Sequence, residues 1–218
     1  MFGRGFVAAF GMMLPLAAFG QTLWDQEPDV TNVGFPSDGI STNGTQYYSQ
    51  AIADNFSLSS ASNVTGIEFW GCSDHYSVTD LSNFNAFDIY IYNTSFNPVF
   101  STQVSTASLS PVDTGNIGLW GTPYYSLNLT TSINLAAGTY FLHVGSVNVA
   151  PQADGFIWAN SLSGDNSIYF NAFNSLGWQN SVNNGDMAFK LTGSPAPEPA
   201  SLCFLALGGL AFVRRRRG

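Results

Sequence analysis

The sequence predicts an all-β fold, an antiparallel two-sheet sandwich of jelly-roll-like type, followed by a C-terminal hydrophobic helix. Three observations carry this expectation. Apolar runs between Gln46 and Thr192 have strand length, clusters of Gly, Asn, Ser and Asp separate them, and none shows the helical period of an amphipathic helix. Only 9% of residues are charged against 45% hydrophobic and 15% aromatic, so polarity comes from Ser, Thr, Asn and Gly, which suit strands and turns.

The elements follow in chain order. Residues 1–20 read as a secretory signal peptide: Arg4 precedes an apolar run from Phe6 to Phe19, and Ala18 and Gly20 are the small residues of a cleavage site after Gly20. Residues 21–45, with Pro28, Gly34, Pro36 and Gly39, read as an irregular lead-in. Residues 46–194 form the β-sandwich domain. Its candidate strands are Ala51–Leu58, Val64–Gly71, Ala86–Asn93, Val99–Thr106, Tyr124–Leu129, Thr139–Ser146, Phe156–Ala159, Ser167–Asn171 and Met187–Thr192. The run from Asp88 to Tyr92 is apolar on nearly every side and reads as a central strand. After a turn at Gly138, Tyr140, Leu142 and Val144 alternate with Phe141 and His143. Many short strands of this kind pack as two sheets.

Residues 195–218 differ in composition. Pro195, Pro197 and Pro199 exclude regular helix and give an extended segment. Leu202 to Val213 is apolar but spans only about 18 Å as a helix, against a hydrocarbon core of about 30 Å. Arg214, Arg215, Arg216 and Arg217 close the segment and act as a membrane stop held on the cytoplasmic side. The Pro197-Glu198-Pro199 tripeptide with Ala200-Ser201, the apolar stretch and the arginine cluster, in that order, resemble the PEP-CTERM sorting signal of exported bacterial proteins. The stretches Ala53 to Leu58 and Leu135 to Leu142 are similar in texture to the β-rich domains that precede such tails. The resemblance implies an exosortase-type membrane transpeptidase as partner, recognising Pro197, Glu198 and Pro199. It also implies transient anchoring in the inner membrane of a Gram-negative-type cell that makes extracellular polysaccharide.

Charge narrows the function classes. Between Gln21 and Ser194, Lys190 is the only Lys or Arg and faces thirteen acids, a formal charge of −12. A domain with one cation cannot track a phosphate backbone, which excludes nucleic-acid binding.

The residues that carry chemistry are sparse. His75 and His143 are isolated, and no nucleophile elbow accompanies the Asp74-His75 pair. Glu68, between Ile67 and Phe69, reads as an outward strand charge, and with Glu27 and the aspartates it makes no specific glycosidase pair. Cys72 reads as a small buried hydrophobe, and Cys203 lies in the apolar tail. Asp154-Gly155, Asp165-Asn166 and Asn183 to Asp186 offer calcium-type oxygens, but the same residues form hairpin turns. No catalytic residue, cofactor or metal site is therefore assigned. Trp70, Trp120, Trp158 and Trp178 lie in or near strands, where an exposed indole stacks on sugar rings and a buried one builds core. The expectation is a non-catalytic exported protein of the cell surface or extracellular matrix, with a carbohydrate-binding or carbohydrate-active domain as the alternative.

Overall fold

The computed structural model describes residues 20–29, 31, 34–39, 50–74, 81–118, 121–148, 155–172 and 177–196. The strands are β1 (Gln21–Gln26), β2 (Phe35–Pro36), β3 (Gln50–Leu58), β4 (Ser62–Ser73) and β5 (Phe84–Tyr92). After them come β6 (Pro98–Ser105), β7 (Val112–Ile117), β8 (Pro123–Leu135), β9 (Gly138–Asn148) and β10 (Phe156–Trp158). The last five are β11 (Asn160–Ser161), β12 (Ser167–Ala172), β13 (Gln179–Val182), β14 (Asp186–Met187) and β15 (Phe189–Pro195). One 3-10 turn, Thr106–Leu109, links β6 to β7. The fold is all-β, and every pairing between named strands is antiparallel.

Two large sheets form. In one, β4 is central, with β15 and then β1 on one side and β8 and then β7 on the other. Past the start of β15, β10 and β2 continue that side of β4. The other sheet has the order β13-β12-β3-β9-β5-β6, and β11 and β14 pair separately.

Period-two alternation decides what lies between the sheets. Ile52 and Phe56 of β3, Phe87, Ile89 and Ile91 of β5, and Leu142 and Val144 of β9 point inward. They meet Ile67 and Phe69 of β4, Leu127 of β8, and Phe189 and Leu191 of β15. Phe87 and Phe156 sit edge to face at 4.9 Å, and Phe156 is perpendicular to Phe69 at 6.2 Å. Each such fully buried side chain contributes about 1.5–3 kcal/mol. Close approach requires glycine at position 145: a Cβ there would lie 2.2 Å from the Asp38 carbonyl oxygen, where the 37–39 segment crosses β9.

Two expectations need correction. The lead-in of residues 21–45 opens with strand β1, and Phe35–Pro36 also pairs. β1 is recognised by β15, far along the chain, and a bulge between Thr22 and Trp24 interrupts its alternation. The strand expected at Tyr124–Leu129 continues to Leu135, because the Thr-rich stretch Thr130–Asn134 stays paired with β4. The strands β7, β11 and β13 are additional to those expected. The signal peptide of residues 1–20, apart from Gly20, and the C-terminal helix lie outside the described residues. Among the described residues, no helix is long and apolar enough to cross a membrane.

Candidate functional site

The acidic loops converge on two carboxylates. Asp54 belongs to the inward series of β3 and is fully buried. It accepts hydrogen bonds from the Met187 and Asn55 backbone N–H groups, both at 2.7 Å, and so ties β3 to β14. Burial pushes its carboxyl well above the usual range, against the pull of those two donors. Asp186 accepts from the Asp165 N–H at 3.0 Å and the Asn166 N–H at 2.9 Å, and burial raises it too. Asp165 in turn accepts from Asn55 Nδ2 at 2.9 Å. These carboxylates close turns with backbone donors. Among the described residues no group of three His, Cys, Asp or Glu side chains could hold a metal ion. Beside them, Asn160, Asn166, Asn184 and Asp186 line an open polar cleft of about 430 Å³.

The outward face of the β13–β6 sheet is aromatic. Register places Ala53, Tyr90 and His143 side by side, with Tyr92 opposite Phe141 and Tyr169 opposite Ala53. Phe96 reaches back over this face from the β5–β6 turn with φ at 55°, the left-handed region that a bulky side chain disfavours. Its ring stacks on Phe141 at 4.5 Å and on Trp178 at 5.1 Å. His143 is fully buried beneath Trp178 and Tyr90. Its Nδ1 lies 2.7 Å from the Ile52 carbonyl oxygen, so Nδ1 carries the proton and donates. Burial lowers the imidazole to about 4, which keeps it neutral.

The remaining candidates separate by burial. Trp158 is core, with Nε1 donating to the Ala188 carbonyl at 2.9 Å, whereas Trp70 and Trp178 are half-buried. Cys72 is a buried free thiol pushed up to about 11 by desolvation. Glu68 is half-buried on β4 and accepts from Ser126 Oγ at 2.5 Å. His75, Trp120 and Asp154 lie outside the described residues, as do Pro197, Glu198, Pro199 and Arg214 to Arg217.

The two ends of the fold meet. β1 starts at Gln21, opposite Gly193, and β15 ends with Pro195 opposite Ser62. The Ala196 N–H donates to the Ala61 carbonyl at 2.7 Å. Leu23, Trp24, Ser60 and Pro195 line a groove of about 230 Å³ at this exit. Residues 195–217 match the PEP-CTERM protein-sorting motif. The tail is a PEP-CTERM sorting signal.

The PEP-CTERM match thus begins on the last residue of β15. Such a motif points to exosortase-dependent sorting of an exported protein, with an exosortase-type enzyme as the processing partner. No curated protein and no solved structure matches the chain.

Proposed function

We propose that the chain is an exported, non-catalytic module of the cell surface or extracellular matrix of a Gram-negative-type cell. Its PEP-CTERM tail anchors it transiently and is then cut by an exosortase-type transpeptidase acting at Pro197, Glu198 and Pro199. One observation carries this reading: among the described residues, strand pairing begins at Gln21, directly after the expected signal-peptide cut, and ends at Pro195, where the motif begins. A cut after Gly20 and a cut at Pro197–Pro199 would break none of the strand pairs among the described residues. The chemistry of the domain agrees with a non-catalytic role. The described histidine is held neutral under aromatic rings, the thiol of Cys72 resists ionisation, and Asp54 and Asp186 are occupied by backbone donors.

The test is intact-mass spectrometry of the protein from its native surface. The mature chain is expected to lack the arginine-ended tail, and Glu198→Ala is expected to block processing while leaving the sandwich folded. A wild-type chain still ending at Gly218 in cells that hold the processing enzyme would refute the sorting claim.

A second reading, carbohydrate binding, is favoured by half-buried Trp178 among Phe96, Tyr92 and Tyr90 on the outer sheet face. Sugar rings stack on such surfaces. Retention of the sandwich on the cell's own polysaccharide, abolished by Trp178→Ala, would support it.

A further inference from the structure

Beside the short β11–β14 pair, the turns 162–166 and 183–185 form the walls of the polar cleft of about 430 Å³. Asp186 holds the first turn through the Asp165 and Asn166 N–H groups. Asn166 Oδ1 accepts the Gly185 N–H at 2.8 Å, which ties the two turns together. A Cβ on Gly164, where φ is 142°, would lie 2.3 Å from the Asp186 carboxyl carbon, so only glycine lets the first turn close this tightly. The cleft adjoins a second hollow of about 230 Å³: Phe35 and Asn184 stand in both linings, and Ile168 and Phe170 line the second. Small-molecule sites occupy roughly 300–1,000 Å³, so the cleft alone is large enough for one.

Asn160 is the residue that points to a ligand. It lines the cleft yet is only 4% exposed, and its amide reaches the second turn, 3.5 Å from the Cβ position of Gly185. Its Oδ1 has no hydrogen-bond partner among the described residues. A buried acceptor of this kind costs stability unless a donor arrives from outside the chain.

The rest of the lining decides which donor fits. Neither hollow is lined by a Lys, Arg or His, and Asp186 repels anions. A cation would find one carboxylate, already engaged with backbone N–H groups. Hydroxyl groups remain. They are neutral, and each donates and accepts from one atom, which matches the side-chain amides of Asn160 and Asn184. Phe35, half-buried where the two hollows meet, adds an apolar surface. A glycosyl ring combines both demands, with hydroxyls at its edge and C–H groups on a face that packs against aromatic rings.

We propose that this cleft binds a neutral glycosyl unit, with a ring hydroxyl donating to Asn160 Oδ1, the Asn184 amide at the rim and a C–H face against Phe35. The site is separate from the outer aromatic face, where Trp178 stacks on Phe96, and does not depend on it.

The experiment uses the full chain in dodecylphosphocholine micelles, with EDTA present so that no metal bridges the contact. The probes are the methyl glycosides of glucose, galactose, mannose and rhamnose, titrated by saturation-transfer NMR. At least one is expected to bind. Asn160→Leu is expected to weaken that binding at least about fivefold. It is expected not to lower the Tm, because the acceptor it removes has no partner in the fold. Asn184→Trp fills the cleft from an exposed position and is expected to abolish binding, which keeps the test decisive even if Asn160→Leu does not fold. Val112→Trp, on the exposed β7 strand, is the matched control and is expected to have no effect. Binding by none of the four glycosides would overturn the site, as would full binding by Asn184→Trp. Binding lost in Trp178→Ala but kept in both cleft variants would overturn the cleft and leave the outer face as the sugar platform.

Discussion

Gln21 lies directly across from Gly193, so the first strand of the sandwich is joined to the last. β1 is the outer strand and shields β15, which would otherwise present an unpaired edge. Leu23 and Trp24 are half-buried against the core, and Lys190 pairs with Asp25 at 2.8 Å. A chain of residues 27–196 is therefore expected to be less stable than one of residues 21–196 by about 3 kcal/mol, from the two apolar side chains it lacks. It is also expected to associate through the exposed β15 edge. Urea denaturation and light scattering check both points, and equal midpoints would place β1 outside the cooperative unit.

His143 makes the fold sensitive to acid. Its native value near 4 lies below the ordinary 6.5, so between these pH values the native state binds fewer protons than the unfolded chain. Stability from this group is full above pH about 6.5 and is lost as pH falls through 4, up to about 3 kcal/mol in all. His143→Asn retains a donor for the Ile52 carbonyl and removes the titration. Its unfolding free energy is expected to lose less than the wild type does between pH 7 and 4, and an identical acid loss would assign that sensitivity elsewhere.

Asp54 acts with the opposite sign. Its raised carboxyl keeps a proton in the native state at pH values where the unfolded chain has released it, so this group's contribution falls as pH rises above about 4. Asp54→Ala leaves the Met187 and Asn55 N–H groups without their acceptor and is expected to cost about 2–4 kcal/mol. Near neutral pH the loss is expected to be smaller than at pH 4, because ionised Asp54 is itself costly to bury. A loss that grows toward neutral pH would contradict the direction assigned to this carboxyl.

Asp186 reads as a turn clasp, and calcium provides the check. Its oxygens already receive the Asp165 and Asn166 N–H groups, so neither calcium nor EDTA is expected to move the Tm. A site filled at 100 times its Kd would add about 2.7 kcal/mol, enough to be seen as a rise of several degrees. Asp186→Asn is expected to destabilise by about 1–3 kcal/mol, because one amide arm would then oppose backbone donors. A calcium-dependent rise abolished by that substitution would reassign the loops as a metal site.

Much of the fold was legible because its strands advertise themselves locally. Asp88 to Tyr92 and Tyr140 to Val144 alternate on both faces and lie in the middle of the β13–β6 sheet. β1 and β13 were not legible, since their pairing is decided by distant partners or by a neighbouring strand rather than by apolar pattern. The tail was readable from its prolines, apolar stretch and arginines, which need no tertiary context. Asp54 and Asp186 were different: sequence showed turn-forming acids but could not show that β3 turns one carboxylate inward to meet β14. The aromatic face was equally hidden, because Phe96 joins it only through a left-handed turn conformation.

Trp158 and Trp178 were indistinguishable as letters, and their environments separate them. Trp158 is fully buried, lies 6.2 Å from Phe189 and spends its indole N–H on the Ala188 carbonyl. Trp158→Phe removes that donor, leaves a buried carbonyl unpaired and opens space, which together are expected to cost about 2–4 kcal/mol. Trp178 is half-buried, with one face stacked on Phe96. Trp178→Ala is expected to lose the stacking, about 0.5–1.5 kcal/mol, together with part of its buried area. It also uncovers His143, so the imidazole value is expected to rise from about 4 toward its ordinary value as water reaches the ring. The measurement is a pair: urea midpoints for both variants, and an NMR titration of His143 in Trp178→Ala. A larger loss from Trp178→Ala than from Trp158→Phe, with the His143 titration unmoved, would make Trp178 a core residue and remove the aromatic face as a platform for sugar.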